Sequence, residues 1–270
     1  MNGTRATLKG RLLPASIWTI LLIAAWETVS WVLLDVRHVP LAQSKLPYLH
    51  KVAETFGQYG HTLLHEGRVT LGNAALGFAI GAAAGVLIAV LMSGSKLLEH
   101  LIFPYAVASQ MIPILGLAPI IYGIVHDEQS ARIIISGYIT FFPVAINMLR
   151  GLRSVSPDAL DLMRACAANP LQVYGKLRLP ASLPGLFAGL KIAAPLAVTG
   201  AILVELMGAQ RGIGVLMLRN LYYGPSHVYM FWSTVFVGAA LGMIGFVVMS
   251  AAERLIAPWQ PEYRAKGGKS

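Results

Sequence analysis

Six stretches of this chain are long and apolar enough to cross a lipid bilayer, and that constrains its fold more than any motif does. They cover approximately residues 14–34, 69–92, 98–125, 131–149, 183–207 and 228–252. A hydrocarbon core of about 30 Å needs about 20 such residues. Backbone in lipid must pair its own N–H and C=O groups, so each stretch is expected to be a helix. The period-two alternation of a membrane barrel is absent. The expected fold is all-α, a polytopic membrane protein with about six transmembrane helices. Only 12% of the residues are charged, about half the share in soluble domains. The one cysteine, Cys166, excludes an internal disulfide framework and a cysteine metal cluster. The first apolar run follows Arg5, Lys9 and Arg11 and ends in Asp35-Val36-Arg37 without a small-residue cleavage site. It is longer than a signal-peptide core and is expected to be a retained span.

The net charge of +9 reads as membrane orientation rather than nucleic-acid binding, and no nucleic-acid partner is expected. With six spans and an internal N-terminus, 13 Lys and Arg fall inside and 7 outside. The positive-inside rule then puts both termini and the 150–180 loop on the cytoplasmic side of the membrane. Three parts follow: an N-terminal span with an external surface segment (1–67), a core (68–254) and a basic tail (255–270). Within the first part, residues 51–66 read as a separate surface helix. His61 and His65, beside Glu66, have helical spacing but no third metal ligand, so a solvated helix face is the expected reading.

Within the spans, Gly77-x-x-x-Gly81-x-x-x-Gly85 and Gly238-x-x-x-Gly242 let helix backbones approach closely, inside one chain or between two. Pro104, Pro113 and Pro119 fall in the third span, where they predict kinks in a helix that either lines a pathway or is buried among its neighbours. Gln110, Pro113, Pro119 and Asn147 are candidate pathway residues, with Glu205. Intramembrane ionisable residues are functional candidates by default. Lys191 is placed to snorkel, while Glu205 precedes a glycine-rich turn at 208–214 and is expected to pair with Arg211.

The 156–180 loop carries the clearest local signals. Ser156 suits an N-cap and Pro157 the first helical position. Asp158 and Asp161 lie where the helix dipole favours acids. Leu160, Met163 and Ala167 share a face, Asn169 and Pro170 are expected to end this helix, and Leu171, Tyr174 and Leu177 share a face of a second helix that Pro180 ends. Two short helices with an exposed apolar stripe imply a partner.

This loop resembles the cytoplasmic signature of type I ABC importer permeases: Glu-Ala-Ala, three residues, Gly, nine residues, Ile, one residue, Leu-Pro. Asp161, Leu162 and Met163 stand on the triplet, Ala167 on the glycine, Leu177 on the isoleucine, and Leu179-Pro180 on the final pair. The departure at Ala167 matters because alanine tolerates positive φ poorly. The segments RVTLGNAALG, ASQMIPILGLAP, FFPVAINMLRG and ELMGAQRGIG look like the nitrate/sulfonate/taurine branch, which includes thiamine-precursor pyrimidine and riboflavin permeases. The resemblance implies two cytoplasmic ATPase subunits, a second permease copy and an external binding protein. Docking on the ATPases would involve Asp158, Leu160, Asp161, Met163, Arg164, Ala167, Asn169, Leu171 and Tyr174. ATP and magnesium are expected on the ATPase subunits, with no cofactor in this chain. No G-x-x-x-x-G-K-[ST] occurs; Tyr263 displaces the first glycine ahead of Gly267-Gly268-Lys269-Ser270. The alternatives are a proton-coupled secondary transporter and, less in keeping with the sequence, an intramembrane enzyme.

Overall fold

The computed structural model describes residues 3–259, with side chains from Pro14 onward apart from Ala15 and Pro225. Residues 260–270 of the basic tail, the 267–270 segment included, lie outside the described residues. In chain order the helices are α1 (Gly3–Trp31), α2 (Ala42–Lys45), α3 (Leu49–Gly94), α4 (Lys96–Ser109), α5 (Ile114–Val125), α6 (Glu128–Arg153), α7 (Pro157–Ala165), α8 (Pro170–Val173), α9 (Leu179–Leu206), α10 (Ile213–Tyr222) and α11 (Val228–Ile256). Short π-helical turns follow α1 and α8. Among the described residues, five helical segments are long and apolar enough to cross a membrane, or six if the bent α4–α5 pair is one crossing.

Among the described residues, the larger compact unit comprises residues 65–215 and 237–259. Its helix directions follow from glycines that admit a neighbour's backbone. A Cβ on Gly77 would lie 2.5 Å from the Ile133 carbonyl oxygen, one on Gly81 would strike the Gly137 carbonyl, and one on Gly85 would lie 2.5 Å from the Phe141 carbonyl. Both numberings rise together, so α3 and α6 run parallel. Gly185 abuts Asn147 and Gly189 abuts Pro143, while Gly200 abuts Ser136. These numberings run oppositely, so α9 is antiparallel to α6. Gly238, Gly242 and Gly245 meet Ile202, Pro195 and Ala194, so α11 is antiparallel to α9. Both glycine stripes thus serve packing within one chain.

The α4–α5 pair bends by 98°, yet it still carries the chain from end to end. Glu99 on α4 pairs with Arg153 at the C-terminal end of α6, with N–O distances of 2.6 and 2.5 Å. Asp127, just after α5, caps the N-terminus of α6 by accepting from the Ser130 amide at 2.7 Å. Hydrogen bonds from Ser130, hydroxyl first and amide second, hold the Asp127 carboxyl below its ordinary range. The 26 residues of α6 separate those ends by about 39 Å. The pair is therefore a broken crossing rather than one kinked helix. Pro113 makes the break and N-caps α5, whereas Pro104 and Pro119 stay inside helices. The Tyr138 hydroxyl donates to the Ser109 carbonyl at the break, and Ala118 packs with Ile135, Ile139 and Val204.

The smaller unit comprises, among the described residues, 3–64 and 216–236. Trp26 donates to the Pro47 carbonyl at 2.8 Å and meets Trp232 edge-to-face at 5.7 Å. Glu27 accepts from the His50 amide at 3.0 Å. The Tyr48 hydroxyl donates to Asp35, and this bond pushes the phenol up to about 12. The expected separate surface helix at 51–66 is instead the first part of the 46-residue α3. Polarity marks what surrounds a helix, not where it ends; Gly67 costs about 1 kcal/mol of propensity, and it packs near Val237 and Ile213.

Candidate functional site

The 154–178 loop sits at the end of the larger unit marked by Gly94, Glu99 and Arg153. The Ser156 hydroxyl accepts from the Ala159 amide at 3.3 Å and Pro157 opens α7. α7 ends at Ala165, earlier than Asn169. The Ala167 amide donates to the Arg164 carbonyl at 2.9 Å and the Ala168 amide to the Met163 carbonyl at 3.0 Å. This pair of bonds is a Schellman closure, whose central residue must be left-handed, and Ala167 has φ +53°. Asn169 is therefore not a stop but the N-cap of α8. Its side chain accepts from the Gln172 amide at 2.8 Å while Gln172 accepts from the Asn169 amide at 2.9 Å.

Pro180 does not end the second helix either. A π-helical turn at Tyr174–Arg178 joins α8 to α9, and the Leu179 amide donates five residues back to Tyr174. The wider turn accommodates a proline that has no N–H of its own. The loop is thus continuous with a membrane-crossing helix, so a displacement at α8 is carried into α9.

The expected apolar stripe divides in two. Leu160, Met163, Tyr174 and Leu177 are half-buried. Leu160 lines a cleft of about 470 Å³ with Met92, Leu152 and Arg178. Tyr174 packs against the Ala89–Met92–Met148–Leu152 cluster, and its hydroxyl bonds that of Ser93. The Arg178 guanidinium stands 5.1 Å from the Tyr174 ring. These residues fasten the loop to the spans. What faces outward is Leu162, 66% exposed, and Leu171, 84% exposed, flanked by Asp158 and by an exposed Asp161–Arg164 pair at 2.8 Å. Leu162 was not singled out from sequence, although it lies on the signature triplet. Cys166 is exposed on the same loop.

The opposite end of the larger unit holds Glu205, which is fully buried. It does not pair with Arg211. It accepts from the Thr70 hydroxyl and the Gly214 amide at 2.9 Å, and the Arg132 Nε lies 3.5 Å away. Arg211 instead reaches His65 at 2.9 Å and lies 3.9 Å from Glu66. Glu66 accepts from the Gly212 amide at 2.6 Å, Glu128 from the Gln210 amide at 3.0 Å, and Thr70 from the Ile213 amide at 2.9 Å. Three carboxylates and a hydroxyl thus satisfy the amides of residues 210, 212, 213 and 214 in the glycine turn. A Cβ on Gly212 would strike the Glu205 carboxyl, and Gly212 has φ +119°. Lys191 does not snorkel; it pairs with Glu253 at 2.9 Å.

Beside this cluster lies a cleft of about 1030 Å³ lined by Arg68, Asn73, Tyr122, His126, Arg132 and Arg211 among others. Of the expected pathway residues, Gln110, Pro113 and Pro119 are exposed at and after the α4–α5 break. Asn147 is half-buried on α6 and donates to the Pro143 carbonyl at 2.8 Å.

Comparison with known proteins agrees with this architecture. Residues 81–260 match the model of the binding-protein-dependent transport system inner membrane component. The chain is 32% identical to a formylaminopyrimidine transport permease protein of Halalkalibacterium halodurans, over 71% of this chain and 76% of the relative. It is 25% identical to a putative aliphatic sulfonates transport permease protein of Bacillus subtilis, over 95% and 89%. In fold it resembles the methionine ABC transporter MetNI in an inward-facing form, with TM-score 0.58 at 20% identity, over 74% and 98%.

Proposed function

The chain belongs to the binding-protein-dependent transport system inner membrane component family and is a multi-pass permease subunit of an ABC importer, not an enzyme; from that premise we propose that its 154–178 loop is the coupling element. In this reading two such chains form the pathway, their termini and loops are cytoplasmic, and each loop docks on one of two ATPase subunits. The observation that carries the proposal is the two-sided loop. One side, through Tyr174 and Leu160, is fastened to the spans, while Leu162 and Leu171 project outward. Burying each leucine would contribute about 1.5–3 kcal/mol to docking. The π turn carries movement of the loop directly into α9. Binding that favours one position of the loop is what allows ATP turnover to bias the pathway.

Cys166 supplies the test. With the ATPase subunits bound, maleimide labelling of Cys166 is expected to slow at least tenfold, and charge substitutions at Leu162 or Leu171 are expected to restore it. Equal labelling rates with and without the ATPase would refute docking at this loop.

For the solute, the 32% identical relative supports a small heteroaromatic of the formylaminopyrimidine kind, delivered by an external binding protein. A small anion such as a sulfonate is the second reading, favoured by Arg68 and Arg211 in the large cleft. Transport by the reconstituted importer, competed with a pyrimidine and with an alkanesulfonate, separates the two. Glu205 is proposed to act by ordering the glycine turn beside that cleft rather than by lining the path.

A further inference from the structure

The smaller unit contains a groove that the coupling loop and pathway do not use. It has a volume of about 430 Å³ and is walled by α3 at Lys51, Glu54 and Gln58, by α10 at Leu216 and Arg219, and by the start of α11 at Tyr229. The Lys51 ammonium stands 5.6 Å from the Tyr48 ring and 5.7 Å from the Tyr229 ring. Two aromatic faces hold the cation in place without neutralising it. Neither Lys51 nor Arg219 has a carboxylate within ion-pair distance among the described residues. Glu54 is the one acid in the lining, so two permanent cations face one carboxylate and the groove favours an anion.

Its level identifies the anion. Tyr229 and Met230 lie in the first turn of the membrane-crossing α11. Tyr59, Tyr222 and Tyr223 are 50%, 77% and 60% exposed, and Leu221 is 55% exposed. Exposed tyrosines beside the start of a span mark the headgroup layer of a bilayer. Lysine and arginine at that level can form charge-assisted hydrogen bonds to the phosphate of a lipid headgroup. From this geometry we propose that the groove binds the phosphate of an anionic phospholipid, with Lys51 and Arg219 as its two charge partners and the Leu221–Tyr223 surface against the acyl chains.

The test uses the purified full chain in a zwitterionic detergent, titrated with short-chain phosphatidylglycerol, short-chain phosphatidylcholine and inorganic phosphate. Saturable binding of phosphatidylglycerol is expected, with phosphatidylcholine at least tenfold weaker. Arg219→Gln and Lys51→Gln are each expected to weaken binding about fivefold. Arg219 is exposed and unpaired among the described residues, so its replacement leaves the fold intact even if the Lys51 variant does not. Undiminished binding by Arg219→Gln would overturn the site. Inorganic phosphate binding as tightly as phosphatidylglycerol would overturn the lipid assignment.

Discussion

Replacing Ala167 with glycine is expected to tighten the coupling loop. A left-handed conformation costs an L-residue about 1–2 kcal/mol, and Ala167 adopts it at φ +53°. Glycine relieves that cost but brings extra freedom to the unfolded chain, worth about 0.4–1 kcal/mol. The net gain is about 0.5–1 kcal/mol, or about a two- to fivefold shift in the local opening equilibrium. The amides that report it are those of Ala167 and Ala168, which donate to Arg164 and Met163. They should exchange with deuterium about two- to fivefold more slowly in Ala167→Gly, measured by mass spectrometry on the protein in nanodiscs. Ala167→Val serves as the opposite control, because a β-branched residue fits this conformation worse, and it should exchange faster. Equal exchange in all three proteins would refute the Schellman closure of α7.

The remaining expectations concern the spans. Gly81→Ala places a methyl against the Gly137 backbone, with its Cα only 2.8 Å away; overpacking of this kind costs about 1–3 kcal/mol and should lower the thermal midpoint measured in detergent. Glu205→Ala leaves the Gly214 amide without its buried acceptor and removes the carboxylate beside the Arg132 Nε, while Arg132 keeps Glu128 and Thr70 keeps the Glu66 carbonyl. An unsatisfied buried donor costs about 1–3 kcal/mol, so less folded protein should be recovered on size-exclusion chromatography, while Glu205→Gln, which keeps an acceptor oxygen, should be recovered in larger amount. Tyr174→Phe removes the bond to Ser93, worth about 1 kcal/mol, and should raise ATP turnover per transported molecule in the reconstituted importer by loosening the loop from the spans.

Which features could be read from the sequence depended on whether their cause was local or distant along the chain. Apolar run length depends only on the residues in each run, and among the described residues each such run falls in a helix, or in the bent α4–α5 pair, that is long and apolar enough to cross a membrane. Caps are nearly as local: Ser156 and Pro157 begin α7 as their side chains dictate. The errors share one origin. Asn169 has a side chain that suits either end of a helix, and only the Ala167 conformation decides that it begins α8. Three prolines fall in the third crossing, but the break occurs at Pro113, beside Ser109, where Tyr138 from α6 supplies a donor for a freed carbonyl. Proximity in sequence offers Glu205 the nearby Arg211, yet the fold presents Arg132 from α6 and gives Arg211 to His65 and Glu66. Polar groups in lipid must find partners, and the partner is whichever group the packing delivers, not the nearest in sequence.

The same distinction explains how Ala167 can stand where the resembled signature has glycine. The requirement for a left-handed residue comes from the closure of α7 onto α8, and the spacing from Asp161 to Pro180 preserves that closure. Asparagine and aspartate enter that conformation more readily than alanine, but alanine adds only a methyl group to what glycine presents. That methyl faces no buried neighbour, since Ala167 is exposed. The cost therefore stays at the backbone term of about 1–2 kcal/mol. The bonds to Arg164 and Met163, the Asn169–Gln172 capping box and the anchorage of Tyr174 against the spans offset it. A signature residue can be lost when the interactions on both sides of it hold the same backbone conformation.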